Sequence, residues 1–385
     1  MIRIGIVGSG FAARLHMDSY RQLGMSDVCV TAVCSKDDTL PDFAKAWGIP
    51  RVYGDLESLL KDPEIDLIDI ITPPALHKDM IVSAMRAGKH VICEKPLTGF
   101  FEPAVDADGK PVSRALMFRK ASDALSAIRE AMEDTGKHLY YAENYVYAPS
   151  VQKCAEFLRR RRDKILLIKG EESHSGSHAA HAPYWKLNGG GALIRQGCHP
   201  LSAALYLKRV EAAARGEEIR PVSVTAVTGS LSAMLKGDEH RYIAARPVDV
   251  EDFADVIVTF SDGSVAQILA SDNTVGGTRN NMEVFTGSSN YQCHIAPNDA
   301  MLVYHENDDG LKDVYMTEKL GHRAGWQSVF LEETVMRGYL GELKDHLLCM
   351  KTGEEPQSGF PLACDTIRII YAAYQSAQEG RAVSL

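Results

Sequence analysis

The chain has 385 residues, 45% of them hydrophobic and 24% charged, with a formal net charge of −9. That length suits two domains better than one. The acidic balance argues against nucleic acid, whose phosphates need a basic face, and the lack of any run of about 18 apolar residues argues against a membrane helix.

In chain order, Ile2 to Val7 reads as an apolar strand of the kind buried on both faces of a parallel sheet. The N-terminus has no cationic stretch followed by a long apolar core, so a signal peptide is not expected. The strand opens onto Gly8-Ser9-Gly10-Phe11-Ala12-Ala13 and a helical stretch through Tyr20. In such a turn Gly8 permits the tight bend, Gly10 lets backbone approach a pyrophosphate, and Ala13 lets helix and strand pack closely. The helix then aims its first N–H groups at the phosphates. Gly8, Ser9, Gly10, Phe11 and Ala12 are therefore candidate dinucleotide contacts.

A second strand, Val28 to Cys34, ends where an adenosine ribose would sit. An acidic residue there marks NAD; this chain offers Ser35-Lys36-Asp37-Asp38. Ser35 and Lys36 suit a 2′-phosphate and Asp37 opposes one, so the sequence leaves NAD and NADP both open. A helix near Asp55–Leu60, a strand Leu67–Ile71, a helix Lys78–Ala87 and a strand His90–Cys93 continue the alternation. That pattern gives a doubly wound parallel sheet, with ligands beyond the carboxyl ends of its strands. Gly8–Ala13, Ser35–Asp37, Thr72–His77 and Glu94–Pro96 then converge on one crevice. Lys95, at a strand end, is read in two ways: a desolvated acid or base of lowered pKa, or a surface lysine in a loop. Pro96 fixes the backbone direction after it.

The segments GIVGSGFAARLH, ITPPALH, AGKHVICEKPL and GGGALIRQGCH resemble the Gfo/Idh/MocA oxidoreductase family, with further likeness at Tyr141–Pro149 and Tyr371–Gly380. The resemblance implies that Lys95 contacts substrate and cofactor, and that Thr72, Pro73 and His77 line the nicotinamide side with Glu94 beside them. It implies a proton-shuttling His199, but Arg195 stands where the family's motif carries Asp. Arg195 cannot act as a base; it can hold a carboxylate, sulfonate or phosphate of the substrate, or sit in a structural ion pair.

Residues 100–118 read as an inserted arm with a tight turn at Asp108-Gly109, covering the cofactor or reaching a neighbouring subunit. The following helix starts near Arg119. The basic run Arg159–Arg162 reads as a solvated helix end. Ile165–Glu171, Val222–Leu231, Asp255–Phe260, Ser264–Ser271 and Met282–Thr286 read as strands, two of them joined at Ser261-Asp262-Gly263. Domains are expected at 1–147 and 148–385: a Rossmann-type α/β domain, then an α+β domain with an open, largely antiparallel sheet. One face of that sheet would close the site, and the other would make a homodimer or homotetramer.

His174, His178 and His181 lie in a Gly/Ser-rich loop without a carboxylate at matching offset, so no metal is expected. His178, Asn144 and Tyr147 are candidate substrate contacts, with Tyr145 and Trp185 as apolar surface. Eight cysteines with no CxxC pair fit reduced thiols in a cytoplasmic protein. The leading expectation is NAD(P)-dependent hydride transfer at a secondary hydroxyl of a sugar, sugar acid or cyclitol, with Lys95 and His199 catalytic. The alternatives are an NAD-dependent glycoside hydrolase working by transient oxidation, and a non-catalytic dinucleotide sensor.

Overall fold

The computed structural model describes residues 1–105, 110–296, 301–309, 311, 314, 316, 323–329 and 331–385. The Asp108-Gly109 turn lies outside them. Six parallel strands form the first sheet: β1 (Ile2–Val7), β2 (Val28–Cys34), β3 (Arg51–Tyr53), β4 (Leu67–Ile70), β5 (His90–Glu94) and β6 (Leu139–Ala142). Their order is β3-β2-β1-β4-β5-β6. Central strands such as β4 are buried throughout, because helices cover both faces and leave no solvated side to demand alternation. β1 and β4 pair directly, yet the chain passes outward to β2 and β3 before returning. This reversal opens the crevice at which doubly wound sheets bind ligands.

The second sheet contains β7 (Ile165–Ser173), β8 (Pro221–Gly229), β9 (Phe253–Phe260), β10 (Val265–Ser271), β11 (Arg279–Thr286) and β12 (Asn290–Ala296). Two short strands, β13 (Leu302–His305) and β14 (Gly325–Ser328), pair by themselves, and β15 (Val383–Ser384) joins the second sheet's edge. Its order is β12-β11-β7-β10-β9-β8-β15, antiparallel except where β10 runs parallel to β7. The expected Ser261-Asp262-Gly263 turn joins β9 to β10, with Gly263 at φ 84° donating its N–H to the Phe260 carbonyl at 2.9 Å. Alternate residues of β9 are buried, as a half-covered sheet requires.

One apolar cluster spans both halves. Val91 and Cys93 belong to it, as do Tyr145, Ile168, Ile268 and Tyr371. The start of the inserted arm is part of this joint: the Tyr371 hydroxyl accepts from Phe100 N at 2.6 Å and donates to the Gly189 carbonyl at 2.8 Å, and Trp185 Nε1 donates to the Phe100 carbonyl at 3.0 Å. The start of the arm thus knits the two halves. The helix after it begins at Arg114, whose guanidinium lies over the Trp185 ring. Among the described residues no helix is long and apolar enough to cross a membrane, and all eight cysteines are free thiols.

Candidate active site

The site starts at the carboxyl edge of the first sheet. Gly8 has φ 120°, and a Cβ there would stand 2.2 Å from the Ile71 carbonyl oxygen, so only glycine fits. Gly10 meets nothing within 4 Å on its Cβ side, leaving room for a ligand's approach. It precedes the helix Phe11–Leu23, which carries no side-chain cap. The first N–H groups of that helix therefore face the crevice with the dipole's positive end, which is what a pyrophosphate needs. Gly8→Ala is expected to weaken dinucleotide binding by at least about tenfold, read by titrating protein fluorescence with NADH and NADPH. Unchanged affinity would refute this role of the turn.

At the end of β2 the Ser35 hydroxyl accepts from Ser9 Oγ at 3.0 Å and from Asp37 N at 3.2 Å. Its own hydrogen is left to donate to a ribose 2′ substituent. Asp37 turns its carboxylate onto Thr39 N at 3.1 Å, and Lys36 is exposed. This edge suits either dinucleotide.

His77 was expected to face the nicotinamide; it is fully buried instead, with Nδ1 2.9 Å from the Pro96 carbonyl and Nε2 2.8 Å from the Thr72 carbonyl. Burial pushes its pKa down against those hydrogen bonds. It braces the two loops that carry Thr72, Pro73 and Lys95. Glu94 is likewise corrected from a contact to a support: its carboxylate takes His16 Nε2 at 3.3 Å and Lys95 N at 2.9 Å. His16 in turn holds Asp69 at 2.9 Å, and the Tyr20 hydroxyl donates to the same Asp69 oxygen at 2.8 Å. Burial opposes protonation of His16, but the two carboxylates hold its pKa well above the ordinary imidazole value.

Lys95 reaches across to the second domain, where Nζ donates to the Arg195 carbonyl at 2.9 Å. Burial pulls its pKa down, yet Cys198, Glu94, Glu172 and Glu143 more than offset this and raise it. The lowered pKa expected from strand-end burial is thus overturned by acidic neighbours. Lys95 is therefore held as an ammonium, which leaves another group as the candidate proton acceptor.

That group is built from the Gly189-Gly190-Gly191 run. A Cβ at Gly190 would lie 2.1 Å from the Tyr374 hydroxyl, and one at Gly191 would lie 1.8 Å from the Glu251 carbonyl oxygen. Glu251 accepts from Gly191 N and Leu193 N, each at 2.9 Å, and from Tyr374 at 2.8 Å. The backbone so anchored widens into a π-helical turn at Leu193–Gly197 and continues as the helix Cys198–Arg215. π-turns recur at functional sites. His199, at the start of that helix, is buried, with Nδ1 2.5 Å from Glu143 Oε1 and Nε2 4.0 Å from Glu172 Oε2. The Tyr145 ring stacks on it at 4.6 Å. Glu143 directly follows β6, and Glu172 sits on β7. Neither residue was singled out from the sequence. Glu143 Oε2 and Glu172 Oε2 are buried without a hydrogen-bond partner among the described residues.

Arg195 does not hold out a free fork. Its guanidinium pairs with Asp272, the residue after β10, which also accepts from Gln196 at 2.5 Å and lies 3.5 Å from His174. Of the two readings of Arg195, anion holder and structural ion pair, this pairing agrees with the second, while its Nε stays buried without a hydrogen-bond partner among the described residues. Asn144 and Tyr147 are also redirected. Asn144 Nδ2 donates to the Arg337 carbonyl at 2.7 Å, while the Tyr147 hydroxyl donates to Asp345 at 2.8 Å and accepts from Ser358 N at 2.9 Å. Tyr147 ties down the helix Tyr339–Thr352, and Asn144 the residues just before it. His178 is exposed on its loop, and His181 Nδ1 contacts Asn188 at 2.9 Å.

Behind the site lies Glu342, fully buried and without partners for either carboxylate oxygen among the described residues. Burial holds its pKa well above the usual range; His16 opposes this, while Glu94, Glu143 and Asp69 add to it. The folded chain therefore keeps a proton that the unfolded chain releases above pH about 4.3, so Glu342 costs stability increasingly as pH rises past that value. Glu342→Gln removes this cost. Its Tm relative to wild type is expected to rise between pH 5 and pH 8, and a Tm difference equal at both would contradict the assignment.

Known proteins resemble this arrangement. Residues 2–107 match the Gfo/Idh/MocA family described as "Oxidoreductase family, NAD-binding Rossmann fold", and residues 164–288 match the GFO/IDH/MocA C-terminal domain. Levoglucosan dehydrogenase of Pseudarthrobacter phenanthrenivorans is 24% identical over 86% of this chain and 80% of its own length. Myo-inositol 2-dehydrogenase of Thermotoga maritima is 23% identical over 100% of this chain and 98% of its own. The crystal structure of GenD2 from gentamicin A biosynthesis in complex with NAD superposes with TM-score 0.78 at 23% identity, covering 100% of this chain and 96% of that one. Levoglucosan dehydrogenase in complex with NADH and L-sorbose gives TM-score 0.72 at 20% identity, covering 100% and 98%. The two matched regions together span more than half of the chain and contain both the glycine turn and the strands that carry Lys95 and Glu172, so this protein belongs to the Gfo/Idh/MocA oxidoreductase family, with its NAD-binding Rossmann domain.

Proposed function

We propose that this chain is an NAD(P)-dependent dehydrogenase that oxidises a secondary hydroxyl of a sugar or cyclitol, with Lys95 and His199 as its catalytic residues. The observation that carries the reading is a half-buried lysine and a carboxylate-held imidazole, one after β5 and the other held by the residue after β6, at the carboxyl edge of the dinucleotide-binding sheet. The names of the relatives, dehydrogenases of levoglucosan and myo-inositol, support the substrate class.

Bound NAD(P)+ supplies a hydride acceptor at nicotinamide C4. Gly8, Ser9, Gly10, Phe11 and Ala12 would hold its pyrophosphate, Ser35 and Lys36 its ribose edge, and Thr72 and Pro73 its nicotinamide side. With Glu143 ionised, His199 Nδ1 carries the hydrogen it donates, which leaves Nε2 with a lone pair for the substrate's hydroxyl proton. The Lys95 ammonium, anchored at the Arg195 carbonyl, has N–H groups left for the carbinol oxygen and stabilises the negative charge that develops there. Burial of His199 excludes water from the imidazole and strengthens its hydrogen bond to Glu143. A redox-assisted glycosidase drew its appeal from the carboxylate missing at position 195; Glu143 and Glu172 supply carboxylates from other elements, and simple hydride transfer accounts for them. The exposed face of the second sheet, with Lys169, Gln267 and Glu283 around a cavity of about 300 Å³, remains the proposed surface for a homodimer or homotetramer.

The test is a panel of neutral sugars, cyclitols, sugar acids and chromogenic glycosides with NAD or NADP, following reduced nicotinamide and aglycone together. Reduced cofactor accumulating with a polyol supports the proposal. Aglycone release that needs NAD yet leaves no net NADH would overturn it.

A further inference from the structure

We propose that the substrate carries an ammonium group within reach of the oxidised carbinol, as an aminosugar or aminocyclitol does, and that Glu172 recognises it. The proposal rests on the hydride-transfer reading and narrows its substrate class.

Glu172 is 6% exposed and Glu143 0% exposed, and one oxygen of each is buried without a hydrogen-bond partner among the described residues. They flank His199 from opposite ring nitrogens, at 4.0 Å and 2.5 Å. A buried carboxylate is costly until a cation or several donors meet it. The cations nearby are already engaged. Lys95 Nζ donates to the Arg195 carbonyl, Arg195 is neutralised by Asp272, and His16 lies between Glu94 and Asp69. The Tyr145 phenol lies within hydrogen-bonding reach of Glu172 and offers it a donor but no charge. Glu94, Glu143 and Glu172 all press on the one ammonium of Lys95, so the site holds an acidic surplus.

Hydroxyls of a neutral polyol would donate to Glu172 but leave that surplus standing. A substrate ammonium supplies both the charge and three donors. An anionic substrate would add to the surplus, and Arg195 already pairs with Asp272.

The experiment compares compounds that differ in one substituent: a cyclitol with its amino-deoxy counterpart, and an aldose with its 2-amino-2-deoxy and N-acetylamino forms. Each is assayed for kcat/KM by reduced nicotinamide. The amine is expected to exceed its hydroxyl counterpart by about 100-fold, since a site built for a polar group rejects analogues lacking it strongly. N-acetylation, which removes the charge and keeps the nitrogen, is expected to abolish the preference in the wild-type enzyme. Glu172→Gln is expected to shrink the amine-to-hydroxyl ratio severalfold or more. Turnover of neutral polyols equal to that of the amines overturns the proposal alone, as does an N-acetyl form that keeps the amine's advantage. No reduced nicotinamide from any member of either series overturns the hydride-transfer reading beneath it.

Discussion

Lys95→Met is expected to lower kcat by about 10²–10⁴-fold while leaving NAD(P)H affinity within a few-fold of wild type. The thioether chain fills similar volume but cannot donate to a developing alkoxide. Cofactor affinity survives in this account because Gly8, Gly10 and the helix Phe11–Leu23 carry the pyrophosphate. Acidic neighbours raise the Lys95 pKa, so the ammonium stays charged up to at least its ordinary value of about 10.4. The sign follows directly: any loss of turnover between pH 6 and 9 comes from other groups, because Lys95 does not release its proton there. Lys95→Arg keeps the charge but carries a larger planar fork, and partial activity is expected. Steady-state kinetics over pH 6–10 for the three proteins checks this. Full activity of Lys95→Met would remove Lys95 from the chemistry.

The second large effect is at the His199–Glu143 pair. His199→Asn removes the proton acceptor and is expected to cost about 10²–10⁴-fold in kcat. Glu143→Gln is expected to cost nearly as much, although it touches no substrate in this account. A carboxylate accepts only, and so fixes the Nδ1–H tautomer; an amide can present its NH₂ instead and turn the imidazole's lone pair away from the substrate. Because both changes disable one unit, the double variant is expected to be little worse than either single one. Glu143→Asp, with a shorter carboxylate, should recover part of the rate and the wild-type shape of the pH profile. Additive losses in the double variant would separate the two residues.

Much of the first sheet was legible because its cues are local. An apolar run ending in Gly-x-Gly-x-x-Ala, and a second ending in Glu-Lys-Pro, place their residues at strand ends without help from the rest of the chain. β6 was missed: four residues, Leu139–Ala142, give too short a run to stand out. With it went Glu143, which follows β6 as Lys95 follows β5. Glu172 carried a usable signal. Ile168, Gly170 and Glu172 alternate onto the buried face of β7, so extending that strand through Ser173 places an acid inside. The fate of Arg195 was not legible, because its partner Asp272 lies 77 residues away. Nor was the bracing role of His77, which depends on the Pro96 carbonyl of a separate loop. The raised pKa of Lys95 has the same origin, since three of its carboxylate neighbours meet only after β5, β6 and β7 are brought together.

The account's central claim is direct hydride transfer within this crevice, and isotope transfer tests it most directly. A polyol that reduces the cofactor would be prepared with deuterium at its oxidised carbinol carbon, incubated with the enzyme and NAD(P)+, and the recovered nicotinamide weighed by mass spectrometry. The account predicts reduced cofactor one mass unit heavier, with the label on one face of C4 and a slower turnover than for the protiated substrate. Label found in solvent, or a product formed with no labelled reduced cofactor, would contradict it.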